Sequence, residues 1–335
     1  MLTEAQPILY SDFRVADFAE GTKTRLHLIL NTLPSGEPLY CPVLLARGDN
    51  PGPVCMVTGL VHGDEYEGPV AIQDVFAELD TADMRGTFFG IPMVNGPAFA
   101  HGTREGGWDH LNLARIFPGS AQGFPTERIA HVFQEHLVVQ ADFLLEMHAG
   151  GNLYACKELA GYQVQGGPAG ARVHEAAIAF GFDFVWGTEA LPGRTLSAAR
   201  IKGVPAIYVE NRGEGRLRSA QRTYAGQGIR NVLAFLGIVE GDYPTAEPEF
   251  SLQTLGEEAG HLQVNYPSPY SGLFVPAVEL WDIVSEGDIL GEVRHPDGTV
   301  LAEIPAVESG RVMLLRTIPK VLMGECLLYV LEMET

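Results

Sequence analysis

A histidine and a glutamate three residues apart, His62 and Glu65, follow a short apolar run in the segment VCMVTGLVHGDEYE, residues 54–67. The apolar residues 54–57 are typical of a strand that is buried on both faces. Gly59 and Gly63, which follow, permit tight turns. An imidazole and a carboxylate presented from one turn are ligands that zinc accepts. The same pair also fits a solvated polar turn, so by itself it indicates only a candidate site.

Another histidine, His148, supplies a third candidate ligand. It directly follows the apolar segment 142–147 (DFLLEM), which predicts a second buried strand. Open α/β sheets place ligands at the carboxyl ends of their strands. His62, Glu65 and His148 then form a two-histidine, one-carboxylate zinc set, and three protein ligands leave room for a water, as in catalytic zinc sites. The sequence therefore predicts one Zn²⁺ per chain.

A carboxylate is needed beside such a water to act as a general base. Glu210 is the best candidate, because it ends the apolar strand predicted over 204–210. Glu214, in the glycine-rich loop that follows, is its rival. The alternative interpretation of Glu210 is a strand-end carboxylate that forms a salt bridge to Arg212 or Arg216.

The elements around these residues predict an α/β fold. Residues 1–50 are typical of β-hairpins, with turns at 34–36 and 48–52, and strands and helices then alternate, which favours a mixed central sheet flanked by helices. Helices are predicted at 65–79 and over 169–180 and 220–236, and another is predicted to begin at Thr126, whose side chain can cap it. Asn95-Gly96-Pro97 predicts a turn, followed by a long irregular stretch, 98–125, which is typical of a functional loop.

The C-terminal part has a different character. Residues 242–258 are rich in proline and acids and predict a boundary, with a catalytic domain over 1–245 and a small all-β domain over 259–335. The β domain resembles the barrel-sandwich fold of biotinyl and lipoyl carriers. Its turn at 295–298 lacks the carrier lysine, so we expect a structural or gating module.

Composition narrows the class of partner. A formal net charge of −20 argues against nucleic acid and anionic membranes as partners. No run is long and apolar enough for a membrane span, and no secretory signal is recognisable. The four cysteines are widely spaced, which favours reduced, buried thiols and a cytoplasmic location.

Several motifs in order resemble the succinylglutamate desuccinylase/aspartoacylase family of zinc deacylases, which is related to the zinc carboxypeptidases. They are GLVHGDE (59–65), Asn95 with Pro97, Arg104 to RIFPG (115–119), EMH (146–148), and Glu210 with GEGR (213–216). The resemblance implies a zinc carboxypeptidase-like, phosphorylase/hydrolase-type fold. It also implies that Glu210 moves protons, that Arg104 polarises the scissile carbonyl, and that Arg115 grips a substrate carboxylate.

One position departs from the family pattern. The usual Asn-Arg pair is Ala114-Arg115 here, which leaves Asn112 as the nearest asparagine for binding the substrate carboxylate. We therefore expect a zinc-dependent hydrolase that cleaves the amide bond of an N-acyl amino acid or a related small metabolite. The alternatives are a zinc carboxypeptidase acting on small peptides and a catalytically inactive, ligand-binding relative. A homo-oligomer is left open.

Overall fold

The computed structural model describes residues 6–33, 35–256 and 260–332. Pro34 of the first predicted turn, residues 257–258 of the predicted boundary and residue 259, the predicted start of the β domain, lie outside the described residues. The strands that precede residue 257 are β1 (Gln6–Leu9), β2 (Thr22–Thr32), β3 (Pro38–Arg47), β4 (Asn50–Thr58), β5 (Arg85–Ile91), β6 (Phe143–Ala149), β7 (Tyr154–Cys156), β8 (Leu159–Gln163), β9 (Phe184–Thr188), β10 (Ala206–Asn211) and β11 (Phe250–Thr254).

All of these strands except β7 form one mixed sheet with the order β1-β2-β3-β5-β4-β6-β10-β8-β9-β11. Its centre is parallel, since β4 pairs in parallel with β5 and β6, and β6 pairs in parallel with β10. Antiparallel pairs flank the centre, with the predicted hairpin β2–β3 on one side and β8–β10 on the other. The mixed α/β class is thus confirmed.

Helices cover both faces of the sheet, as the alternation of strands and helices predicts. Successive residues of β4 point to opposite faces, so Met56 joins one apolar core and Cys55 and Val57 join the other. The first core contains α3 and α5, and the second contains α1, α4 and α6. The helices are α1 (Glu67–Glu78), α2 (Gly96–His101), α3 (Pro125–Val132), α4 (Gly167–Phe180), α5 (Thr195–Ile201) and α6 (Ser219–Phe235).

The loop between β5 and β6 corrects two predictions. Asn95 does not open a turn but caps α2, because its Oδ1 accepts a hydrogen bond of 3.2 Å from the amide of Ala98. Thr126 lies inside α3 instead of capping it. Asp109 accepts hydrogen bonds of 2.8 Å from both the amide and the hydroxyl of Thr126. The carboxylate of Asp109 therefore accepts the hydrogen bonds at the start of α3, where the sequence predicted the Thr126 side chain as the capping acceptor.

Strand β11 lies within the acidic, proline-rich segment that predicts the boundary. It pairs in parallel with β9 and forms one edge of the central sheet. The sheet therefore continues beyond residue 245, the predicted end of the catalytic domain.

The C-terminal part is all β over its described residues, and the predicted small barrel-sandwich domain is confirmed. One sheet has the order β15-β14-β12-β17, and β13, β16 and β18 form the other. Phe274, Leu290, Val312 and Leu328 are among the residues packed between them. The strands are β12 (Gly272–Pro276), β13 (Ile283–Val284), β14 (Ile289–Arg294), β15 (Val300–Pro305), β16 (Gly310–Arg316), β17 (Lys320–Val321) and β18 (Leu328–Leu331).

The β domain is joined to the α/β part by shared backbone hydrogen bonds. Strand β7 pairs with β16, so that Cys156 lies opposite Leu314 and Tyr154 lies opposite Arg316. Arg316 is only 4% exposed. Its guanidinium donates to the carbonyls of Lys320 and Cys326 and to the hydroxyl of Tyr154. This fixed attachment favours a structural module over a gating one.

The sequence led to two further expectations, one about the cysteines and one about membrane-spanning segments. All four cysteines are buried and free. In the described part of the chain, no helix has both the length and the apolar character needed to cross a bilayer.

The buried guanidinium gives the first prediction. Replacing Arg316→Met should lower the free energy of unfolding by about 2–4 kcal/mol, because buried carbonyls lose their donor. Urea denaturation measures the change. Arg294→Met is the matched control, since Arg294 is half-exposed and pairs with Glu292 on its own strand. Its cost should stay within about 0.5 kcal/mol. Equal losses in the two variants would contradict a special role for Arg316.

Candidate metal centre and active site

The loop after β4 is held in place by the last residue of β5 and by the segment that follows β5. The amide of Gly59 donates to the carbonyl of Ile91 (2.9 Å), and the amide of Asn95 donates to the carbonyl of Leu60 (2.9 Å). Gly63 must be glycine, because a Cβ there would lie 2.0 Å from the carbonyl carbon of Ala98. The loop is therefore pressed against α2, and this contact sets the positions of its functional side chains.

His62, Glu65 and His148 meet in this buried site, as the sequence predicts. Glu65 Oε1 lies 2.8 Å from His62 Nδ1, and Glu65 Oε2 lies 2.9 Å from His148 Nδ1. Candidate ligand atoms of the three residues all lie within 4.8 Å of one another. Each side chain is at most 8% exposed. Two imidazole nitrogens and a carboxylate at this spacing fit a single zinc ion.

The Nε2 atoms of both histidines also lie close to polar side-chain partners. His148 Nε2 lies 3.3 Å from Glu146 Oε2, and His62 Nε2 lies 3.2 Å from Asn112 Oδ1. With a metal bound, such partners would accept the Nε2–H of each imidazole and leave Nδ1 for the metal. Asn112, predicted to bind substrate, here directs its oxygen to His62 and to the amide of Ala114 (3.0 Å).

Charges in the cluster favour a cation at its centre. Burial, followed by the charge of Arg104, lowers the pKa of His62 to about 3, so this imidazole is neutral. Burial alone would lower the pKa of His148, but the carboxylates of Glu146 and Glu65 outweigh it and raise that pKa. A proton held between carboxylates marks a position that a bound metal ion would take over, with release of that proton. The donor set therefore fits a metal.

Glu210 lies beside the cluster because of strand register. Strands β6 and β10 are parallel neighbours, and Glu210 pairs directly with His148. Glu210 lines the cavity at the carboxyl edge of the sheet, where burial raises the pKa of its carboxyl. The rival carboxylate, Glu214, is instead engaged with Arg212 and Arg218. Of the two candidate carboxylates, Glu210 therefore lies beside the cluster and lines the cavity.

The two predicted arginines both line the cavity. Nη1 of Arg104 lies 3.3 Å from Glu65 Oε1, at the metal cluster. Arg115 follows a 3₁₀ turn (Leu113–Arg115) and donates to the carbonyl of Ala114 (2.9 Å). Ala114 also faces the cavity.

Other residues of the cavity wall were not found by sequence reasoning. Tyr208 was detectable in principle, because it lies two residues before Glu210 on the same face of β10. The other residues of the cavity wall belong to no sequence motif, and only the fold brings them together. They belong to three groups: Gln163, Thr188, Leu191, Arg194, Thr195 and Leu196 near α5; Gly260–Val264 after the central sheet; and Leu314 of the β domain.

Several other aromatic and acidic residues of the α/β part have contacts of their own. Trp186 donates to Thr254 and Tyr162 accepts from Gln253, and neither is among the described residues that line the cavity. Asp183 pairs with Lys157. Asp64, which precedes Glu65 in the chain, accepts a hydrogen bond from the amide of Asn152 (2.9 Å). Within the described ranges, His62, Glu65 and His148 are the one cluster with metal-site geometry.

Comparison with known proteins agrees with the motifs and this geometry. A family model described as the succinylglutamate desuccinylase/aspartoacylase catalytic domain matches residues 51–236, more than half of the chain. The chain belongs to the succinylglutamate desuccinylase/aspartoacylase family. The resemblance seen in the sequence is thereby confirmed.

Individual members of the family are similar over nearly the whole chain. An N-alpha-acetyl-L-2,4-diaminobutyric acid deacetylase from Halomonas elongata is 30% identical over 295 residues, covering 86% of this chain and 84% of the relative. The product-bound ectoine utilization protein EutE (DoeB) from Ruegeria pomeroyi is 28% identical, with a TM-score of 0.81 and coverage of 92% and 94%. A succinylglutamate desuccinylase from Silicibacter sp. TM1040 is 26% identical, with the same TM-score and coverage.

The cluster predicts a metal content that can be measured. We expect about one zinc per chain in the wild type by plasma mass spectrometry, and His148→Ala should remove it, because two ligands bind zinc far more weakly than three. His131→Ala, on α3 away from the cluster, is the control and should keep its zinc. Retention of zinc by the His148 variant would contradict this ligand set.

The contact of Glu146 with His148 gives a separate prediction. Glu146→Gln should weaken zinc affinity by about 10–100-fold in a chelator competition, because the imidazole loses the charged partner that raises its basicity. Glu135→Gln removes a surface carboxylate paired with Lys202 and should leave affinity unchanged. Equal affinities of the Glu146 variant and the wild type would remove Glu146 from the metal site.

Proposed function

We propose that the protein is a zinc-dependent amidohydrolase that removes the acyl group from an N-acyl amino acid or a related small metabolite. The observation that carries this proposal is the buried His62–Glu65–His148 cluster with Glu210 in register beside it, facing one cavity. The names of the relatives support it, since one is a deacetylase and another a desuccinylase. A cytoplasmic location and homo-oligomerisation stay predictions.

The three ligands would hold the metal with a side open to the cavity. Bound there, zinc would act as a Lewis acid on the scissile carbonyl and lower the pKa of a bound water. Glu146 and Asn112 would keep the two imidazoles oriented, through the contacts to their Nε2 atoms.

Glu210 would move the proton. Its carboxylate accepts a proton from the attacking water and delivers it to the leaving nitrogen as the amide bond breaks. Burial raises the pKa of Glu210, which strengthens it as a base compared with an exposed glutamate. The products are a carboxylate and a free amine.

The arginines would bind the charged parts of the substrate. Arg104 lies at the metal cluster and would stabilise the negative charge that develops on the scissile carbonyl oxygen. Arg115, on the same cavity wall as Ala114, would pair with the carboxylate of the amino acid. Both roles depend on guanidinium groups that already face the cavity.

The walls of the cavity favour a small substrate over a peptide. Leu314 of the β domain and residues Gly260–Val264 line it together with the catalytic side chains. The β domain is attached through the β7–β16 ladder, so this wall is fixed in place. A long peptide would have to displace it, which argues against the carboxypeptidase alternative.

The role of Glu210 gives a test of the reaction. Glu210→Gln should lower kcat on N-acetyl amino acids by about 10²–10⁴-fold while zinc stays bound, because the proton acceptor is lost and the ligands are not. Glu214→Gln, the matched control, should stay close to the wild type. The substrate panel should include dipeptides. Faster cleavage of dipeptides would favour a carboxypeptidase, and zinc loading without any turnover would favour an inactive ligand-binding relative.

A further inference from the structure

One part of the cavity wall consists of uncharged residues from both parts of the fold. Ala149 and Gly150 follow His148 at the end of β6, Cys156 is the last residue of β7, and Leu314 lies on β16 of the β domain. Ala149, Cys156 and Leu314 are at most 2% exposed. Because these residues carry no charge, this part of the wall suits an apolar part of a ligand.

The uncharged wall lies next to the proposed reacting groups. Ala149 directly follows the candidate ligand His148 and pairs with Asn211, the residue after Glu210. Burial and, after it, the charge of Glu210 raise the pKa of the Cys156 thiol, so this thiol lies near the candidate base. A group attached to the scissile bond of a bound substrate would therefore contact this wall.

Backbone hydrogen bonds on both sides hold the uncharged wall in place. Cys156 pairs directly with Leu314 across the β7–β16 ladder. The amide of Cys156 donates to the carbonyl of Arg212 (2.9 Å). The amide of Lys157 donates to the carbonyl of Met313 (2.8 Å). Sγ of Cys156 donates to the carbonyl of Lys157 (3.4 Å), so the thiol hydrogen is already used. A wall fixed in this way cannot retreat to admit a longer group.

Charge decides which part of the substrate faces this wall. An N-acyl amino acid has two groups on its scissile bond, the acyl chain and the amino acid with its carboxylate. The carboxylate gains no partner from Ala149, Cys156 or Leu314, and the carboxylate of Glu210 repels it there. Arg115 on the same cavity offers it a guanidinium instead. The acyl chain is therefore the group that fits the uncharged wall.

We propose that Leu314 and Cys156 close an acyl pocket beside the metal cluster, and that this pair limits the substrate to a short, uncharged acyl group. The inference rests on the proposed function and adds to it the residues that set acyl specificity. Since Leu314 belongs to the β domain and Cys156 to the α/β part, the junction between the two parts takes part in the choice of substrate.

A series of acyl chains tests the acyl pocket in the wild type. The chains are acetyl, butanoyl, hexanoyl and succinyl, all on the amino acid whose N-acetyl derivative is cleaved fastest. From acetyl to butanoyl, kcat/KM should fall at least about 10-fold, because extra methylenes do not fit against a fixed apolar wall. Hexanoyl should be slower again. Succinyl has the length of butanoyl and should be slower than butanoyl, because its carboxylate meets uncharged side chains and Glu210.

Variants locate the length limit at the pair. Leu314→Ala should raise the ratio of kcat/KM for butanoyl to that for acetyl by at least about 10-fold, because the pocket becomes longer. Cys156→Ala should raise the same ratio by a smaller factor. The ratio does not depend on the fraction of folded enzyme, and the wild-type series needs no variant.

Leu315→Ala is the matched control for the leucine variant. Leu315 is the next residue of β16, is also buried, and packs with Phe274 and Leu290 in the core of the β domain. Its loss should lower the free energy of unfolding, measured by urea denaturation, as the loss of Leu314 does. The butanoyl-to-acetyl ratio should stay within about twofold of the wild type.

Each contrary outcome is distinguishable. A wild type that cleaves butanoyl and hexanoyl derivatives as fast as acetyl, or that prefers succinyl, would overturn the inference and leave the deacylase function intact. A wild type that prefers acetyl, with the same ratio in Leu314→Ala, would remove the length limit from this pair. A zinc-loaded wild type that cleaves no N-acyl amino acid would overturn the proposed function itself, and the inference with it.

Discussion

The carboxylate of Glu65, held between His62 and His148 at 2.8 and 2.9 Å, is the interaction on which the rest of the site depends. A buried carboxylate is tolerated only where charged or hydrogen-bonding groups surround it. Two imidazoles and Arg104 supply those groups, and the pKa of Glu65 is lowered although burial alone would raise it. The polar cluster is therefore tolerated within an apolar sheet, and its candidate ligand atoms have the spacing that a metal ion requires.

Strand order is the second constraint, and it supports the first. Because β4, β6 and β10 are parallel neighbours, their carboxyl ends lie at one edge of the sheet. Three segments meet at this edge: the loop with His62, the end of β6 with His148 and the end of β10 with Glu210. They are separated by tens to more than a hundred residues in the chain. An antiparallel arrangement of these strands would have placed the side chains at opposite ends.

The β domain completes the cavity instead of acting as a separate module. Its strand β16 pairs in antiparallel orientation with β7 of the α/β part, and Leu314 on β16 lines the cavity. Arg115 and Arg194 line the same cavity. The cavity is thus bounded in part by segments outside the His62–Glu65–His148 cluster, and such segments can vary while the cluster is kept.

Sequence by itself determined the fold class and singled out the candidate metal ligands and Glu210 as a candidate base, because these depend on local signals. Apolar runs that end in His or Glu mark strand ends, and helical spacing of apolar residues marks the covering helices. Only the tertiary structure placed Glu210 in register with His148 and engaged Glu214 with two arginines. It also directed Asn112 to His62, showed Asp109 to be the acceptor for Thr126, and added β11 to the sheet. Each of these rests on contacts between residues distant in the chain, which no local pattern specifies, because side-chain partners are selected by packing and register after the strands have paired.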